Sequence, residues 1–229
     1  MKLSFLGTGS AYCPMLRNTS AYATYGNTLL LLDCGETVFE TLFRKNLLCD
    51  VDTIFLAITH FHSDHIGSIG SLVSYCNCVL HKKVFLYYPT RDLLPLLKMI
   101  GLPNHMYEYT SVVPSDFPFK LEPVEVRHDP MIKCYGYYIT DLEGSEFYGG
   151  DSAEIPTEVL EKLRHGNISH IYQDTTYEFN SQTDAHGSLY QLAESVEPDI
   201  RNHITCMHFG HDFTSEIRRL GFIPATAEV

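Results

Sequence analysis

The chain is constrained most by one junction. Ile54-Phe55-Leu56-Ala57-Ile58 is an unbroken apolar run, and it passes directly into Thr59-His60-Phe61-His62-Ser63-Asp64-His65. A short apolar run bounded by polar residues reads as a strand buried on both faces. Such a strand is a rigid element, and here it delivers a cluster of imidazoles and a carboxylate to a sheet edge. Reactive side chains on loops at such edges are held by the scaffold beneath them.

The same punctuation recurs along the chain. Residues 2–6 read as a strand stopped by Gly7-Thr8-Gly9-Ser10, and 29–32 as a buried strand ending at Asp33-Cys34-Gly35. Further strands are expected at 84–88, 121–127, 170–173 and 204–207, with a hairpin formed by 135–140 and 146–148. Helical spacing of apolar residues covers 36–48, 66–76, 91–100, 156–164, 186–196 and 213–220. Strands alternating with helices predict an α/β protein, and no linker or repeat divides the chain, so 1–229 reads as one domain. His128, Asp151, Asp174 and His208 each fall just after an expected strand, as His60 does.

Composition narrows what such a chain can do. It has 229 residues, 45% hydrophobic and 19% charged, which argues against disorder. The formal net charge is −12, and the longest basic runs are Lys82-Lys83 and Arg218-Arg219. Binding to long nucleic acid rests on neutralising phosphates, so it is not favoured. A small anionic substrate held by metal is easier to accommodate. The 7 cysteines are odd in number, form no CxxC pair, and Cys76-Asn77-Cys78 is too tight for a zinc knuckle. Reduced thiols in a cytoplasmic protein are expected. No apolar stretch is long enough to span a bilayer, and the N-terminus lacks the apolar core of a signal peptide.

The spacing His-x-His-x-Asp-His has a physical logic. On extended chain, residues i and i+2 point the same way, so His60 and His62 can pinch one metal ion. A turn after Ser63 would aim Asp64 and His65 at a second ion, with Gly67 giving the loop freedom. Two ions need more ligands than one loop supplies. Open two-metal sites share a bridging carboxylate, and Asp151, behind Gly149-Gly150, suits that place. His128 and His208 suit the outer positions. The ligand set of nitrogen and oxygen expects two divalent ions, zinc first, with manganese or iron as alternatives.

These residues resemble the metallo-β-lactamase-fold hydrolases, and within them the ribonuclease Z-like branch of phosphodiesterases. The likeness runs through Phe5-Leu6-Gly7-Thr8-Gly9, Pro14, Arg17-Asn18 and Leu32-Asp33-Cys34-Gly35-Glu36 to the His60–His65 loop. It continues with His128 and Tyr135-Gly136-Tyr137, Gly149-Gly150-Asp151, and Thr205-Cys206-Met207-His208-Phe209. The resemblance implies a four-layer αββα sandwich with its site at one edge, between two mixed sheets. It implies one metal on His60, His62 and His128, a second on Asp64, His65 and His208, and Asp151 bridging. Ile171-Tyr172-Gln173-Asp174-Thr175-Thr176-Tyr177 is similar to the branch's His-Glu-Ala-Thr segment, with Gln173 where a histidine is usual. Ala185-His186-Gly187-Ser188 is similar to its His-Ser-Thr segment, which implies a catalytic His186 tuned by Asp174. Asp64 would orient the attacking water or accept its proton.

One departure matters. The transfer-RNA processing enzymes of this branch carry a long arm between the third and fourth motifs, whereas only residues 129–150 stand between His128 and Asp151. The expectation is therefore a phosphodiesterase for a small substrate, such as a cyclic nucleotide or other cyclic phosphate. The alternatives are a ribonuclease Z-like endonuclease acting on RNA or transfer-RNA 3′ ends, and a hydrolase of a lactone, thioester or lactam. A non-catalytic metal protein and a redox partner are disfavoured by the full ligand set and by the lack of a flavodoxin-like extension. A homodimer is compatible with the chain. Tyr107, Tyr109, Tyr135 and Tyr177 are the aromatics available to stack a base.

Overall fold

The long apolar runs become central strands of two sheets. The computed structural model describes residues 2–178 and 185–227. In the first sheet, β1 (Ser4–Gly7), β2 (Ser20–Tyr25) and β3 (Thr28–Leu32) form an antiparallel meander. α1 (Val38–Arg44) leads to β4 (Thr53–Ala57), which pairs parallel to β3. Then α2 (Ser63–Ile66) and α3 (Ile69–Cys78) precede β5 (Val84–Tyr87), and α4 (Leu93–Met99) precedes the edge strand β6 (Tyr107–Thr110), both strands parallel to β4.

The second sheet mirrors this plan. β7 (Lys120–Glu125), β8 (Tyr135–Asp141) and β9 (Gly144–Tyr148) are antiparallel. α5 (Thr157–Arg164) leads to β10 (Ile171–Asp174), α6 (Leu189–Ser195) to β11 (Ile204–Met207), and α7 (Thr214–Arg219) to β12 (Ile223–Pro224), all parallel to β9. Both sheets have six strands.

Aromatic residues close the space between the sheets. Phe55 of β4 packs edge-on against Phe119 and Tyr87 of β5 edge-on against Tyr137 of β8, while Phe5 of β1 meets Tyr172 of β10 at a tilt. All six are buried. A fully buried phenylalanine contributes about 1.5–3 kcal/mol, so this layer holds the sheets together. Tyr137 also donates its hydroxyl to Ile58 O at 2.5 Å, which ties β8 to the end of β4. Helices cover the outer faces. α1 and α3 touch each other and β1 or β5, while α5 lays Lys162 over the Tyr138 ring of β8. The result is the expected four-layer sandwich.

Three strands escape the sequence reading. β2 alternates small and aromatic residues without an apolar run, β6 is an edge strand whose residues are mostly half-buried, and β12 has only two residues. The helix expected at 66–76 is instead two pieces, broken at Gly67-Ser68. All seven cysteines are unpaired, and among the described residues no helix is long and apolar enough to cross a membrane.

Candidate metal centre

Parallel strands share one direction, so β4, β9, β10 and β11 all end at the same edge of the sandwich. The chain leaves β4 after Ala57, and His62, itself extended (φ −66°, ψ 152°), stands at the start of the single helical turn α2. That turn places Asp64 and His65 inward, both buried. Gly67, expected to loosen the loop, has ordinary helical φ (−59°).

The loop is gripped from both sides. A β-carbon at Gly35 would collide with the Asp64 carbonyl, and one at Gly150 (φ +60°) would lie 2.8 Å from the Thr59 methyl carbon. Asp33, at the end of β3 with φ +64°, accepts Thr59 N at 2.7 Å and Thr59 Oγ1 at 2.8 Å.

Within this frame the ligating atoms fall into two groups. His60 Nε2 lies 3.0 Å from His62 Nδ1, which lies 3.2 Å from His128 Nε2. On the other side, Asp64 Oδ2 is 3.2 Å from His208 Nε2 and 3.3 Å from His65 Nε2. Asp151 stands between the groups. Its Oδ1 is 3.1 Å from His65 Nε2, and its Oδ2 is 3.2 Å from His208 Nε2, 3.7 Å from His128 Nε2 and 3.9 Å from His60 Nε2. All seven residues named from the sequence for metal thus meet in one place, their donor atoms within 4.8 Å inside each group.

The far nitrogen of each imidazole shows what the near one is for. His65 Nδ1 donates to Asp33 at 2.8 Å, His62 Nε2 to Asp129 at 3.1 Å, and His128 Nδ1 to Ala185 O at 3.0 Å. His60 Nδ1 sits 3.1 Å from Thr59 Oγ1. With the proton on the outer nitrogen, the inner one keeps its lone pair, the arrangement that metal-binding histidines use. Asp33 and Asp129 were not among the residues singled out for the site, although Asp33 lies within a quoted motif and Asp129 follows His128.

Not every inner atom finds a partner. His65 Nε2 and Asp151 Oδ1 are buried and make no hydrogen bond, and neither do His208 Nδ1 and Asp174 Oδ1 just behind them. Buried polar atoms are rarely left so, and a cation is the natural partner for such a nitrogen and oxygen set. The buried groups also shift one another strongly. Burial and the neighbouring imidazoles hold His60 well below its ordinary range, in the neutral form a metal requires. Burial resists ionising Asp151, but His208 and His65 outweigh it and keep the carboxyl well below its usual range. Burial likewise opposes charge on His208, yet Asp151 and Asp174 push it up to about 10.

The other pair also reaches this place. His186, three residues before α6, donates Nδ1 to Asp174 Oδ2 at 2.5 Å. Its ring stacks on His208 with centroids 5.2 Å apart and meets His128 at 4.7 Å. Asp174 Oδ1 lies 3.4 Å from His208 Nδ1. Burial would lower the His186 pKa, but Asp174 outweighs it and raises it. These groups open into a cleft of about 760 Å³ lined also by Tyr12, Glu36 and Pro130. Of the aromatics named from the sequence, Tyr107 and Tyr135 are buried, and Tyr109 donates to Tyr88 O. Tyr177 joins Tyr190, His211 and Phe213 beside the cleft.

Two mixed sheets with this histidine and aspartate centre at their shared edge define a metallo-β-lactamase-fold hydrolase. The fold is shared with a diphosphatase of the PhnP family, with a TM-score of 0.75 and 23% identity over 99% of this chain and 95% of that one. The chain belongs to the family described as anti-Pycsar protein Apyc1, whose sequence model matches residues 1–227. The Apyc1 protein of Paenibacillus sp. (strain J14) is 24% identical over 94% of this chain and 91% of its own length. Ribonuclease Z of Methanosarcina acetivorans is 28% identical over 62% of this chain and 44% of its own length.

Proposed function

We propose that the protein is a metal-dependent phosphodiesterase that opens a small cyclic phosphodiester, with a cyclic nucleotide such as cyclic CMP or cyclic UMP as the substrate class. Family membership supports the cyclic substrate. The short 129–150 connection and the charge of −12 favour a small substrate over transfer RNA. The observation that carries phosphorus over a carbon-centred lactone or lactam is the placement of His186 and Asp174, hydrogen-bonded at 2.5 Å and stacked against the centre.

In this reading His60, His62 and His128 hold one divalent ion, Asp64, His65 and His208 the other, and Asp151 serves both. Bound ions supply positive charge for the phosphate oxygens and acidify water in the site. Asp64 orients the attacking water and accepts its proton. As water adds to phosphorus, the bond from phosphorus to the leaving sugar oxygen breaks. His186, held by Asp174, gives its Nε2 proton to that oxygen. Tyr12 is 97% exposed on the rim of the cleft, where its ring can stack against a base.

A hydrolysis screen tests this, with cyclic nucleotides, linear dinucleotides, a precursor transfer RNA and a lactone, and metal analysis on the same sample. Ring opening of a cyclic nucleotide that follows metal content is the expected result. Cleavage of the transfer RNA alone, or of lactones alone, would sink the proposal.

A further inference from the structure

Gln173 is 1% exposed and stands directly before Asp174 in β10. Its Nε2 reaches three oxygens: Ser152 Oγ at 2.9 Å, Asp174 O at 3.1 Å and Ser152 O at 3.3 Å. Ser152 follows Asp151 and donates its backbone N to Asp174 Oδ2 at 3.0 Å. The turn carrying Asp151 and the strand end carrying Asp174 are therefore joined twice, once through the backbone of Ser152 and once through the carboxamide of Gln173. The other end of that carboxamide is idle: Gln173 Oε1 is buried and makes no hydrogen bond. Leaving a buried acceptor unmade is costly, and a residue kept only to fill space would do better as an apolar one. The donors are the part in use.

We infer that Gln173 is a positioning residue that fixes Asp151 and Asp174 relative to each other, so that the ligand shared by both halves of the centre and the support of His186 move as one body. The inference rests on the roles proposed above for Asp151 and His186. A hydrogen bond that orients a ligand from behind commonly matters nearly as much as the ligand itself.

Gln173→Leu keeps the volume and removes the donors, and Gln173→His returns a ring N–H. On protein loaded with Zn²⁺, three quantities are measured: zinc release to a chelator, kcat and KM on bis(p-nitrophenyl) phosphate, and the thermal midpoint. Gln173→Leu should release zinc about tenfold to a hundredfold more readily and lower kcat about tenfold with KM unchanged, and Gln173→His should recover most of both. In a His186→Ala background the further loss of kcat should shrink to about twofold, because the support that Gln173 gives Asp174 then has no proton donor to act on. The zinc effect should persist there. If Gln173→Leu fails to fold, Ser152→Ala removes the nearest acceptor of the same link and should show the zinc effect in weaker form. A folded Gln173→Leu protein with parental zinc release and kcat overturns the inference, as does a fall in thermal midpoint alone. If His186→Ala by itself leaves kcat unchanged on cyclic CMP, whose leaving sugar oxygen needs a proton, the assignment of the proton donor fails, and zinc release still decides the role of Gln173.

Discussion

The second sheet carries buried titratable groups at both of its ends, and the two ends treat them in opposite ways. At the end where β9, β10 and β11 begin, Tyr172 donates to Glu146 at 3.0 Å and accepts Leu3 N at 3.2 Å, while His170 Nε2 lies 2.7 Å from Thr205 Oγ1. Burial raises the Glu146 pKa and pushes His170 down to about 4, so both groups are driven toward their neutral forms. At the opposite end the same strands deliver Asp151 and His208, which are driven toward charge, together with Asp174, and each of the three leaves a buried atom unpaired. One end closes its polar groups on each other. The other holds them open, and openness of that kind is what separates a site from a satisfied core.

The comparison can be broken first at the open end. Asp151→Ala should cost hydrolysis on the order of a thousandfold or more, since each 1.4 kcal/mol of lost stabilisation is a factor of ten and metal activation supplies several such steps. Metal content measured on the same protein should fall with it. Next is His186→Ala. It should lower kcat by about 10²–10⁴, the usual worth of a positioned acid, while metal content stays near that of the parent. Loss of metal in that variant would make His186 a ligand instead of a proton donor.

The closed end should answer in stability and not in activity. His170 takes up its proton at about 4 when folded and near 6.5 when unfolded, so the unfolded chain gains the proton first as pH falls. The stability that His170 confers is complete above about pH 6.5 and declines down to about pH 4, by about 2 kcal/mol between pH 7 and pH 5. Urea unfolding of the parent and His170→Gln at both pH values checks this, since the variant should lack that decline. The smallest effect is expected for Glu146→Gln. It keeps an acceptor for Tyr172 and removes a charge that burial opposes, so the protein should gain up to about 1 kcal/mol and keep its kcat. A marked loss of stability would show that the carboxylate is ionised there and matched by a cation.

What the sequence made legible follows from where each interaction lies along the chain. The His60–His65 loop is local, so its chemistry is written in consecutive residues, and the apolar run before it announces the strand that presents it. His128, Asp151, Asp174 and His208 could be gathered because each follows a strand, a regularity that parallel topology turns into proximity. Asp33 and Asp129 also stand at or near the ends of expected strands, but their role cannot be read from that position. Each orients an imidazole 32 or 67 residues away, and a lone aspartate carries no sign of such a partner. The link from Gln173 to Ser152 was hidden for the same reason. β6 and β12 were missed because edge strands bury little and so show weak patterning.

Gly35 and Gly150 have a consequence for substitution. Each presses on one end of the His60–His65 loop, Gly35 against Asp64 and Gly150 against Thr59, and each comes from a different sheet. In a library of variants, the rim around Tyr12 should tolerate exchange and let substrate preference drift. Positions 35 and 150 should tolerate almost none, although neither offers a side chain to a metal or a substrate. Among the most restricted positions in this protein would then be two with no side-chain chemistry at all.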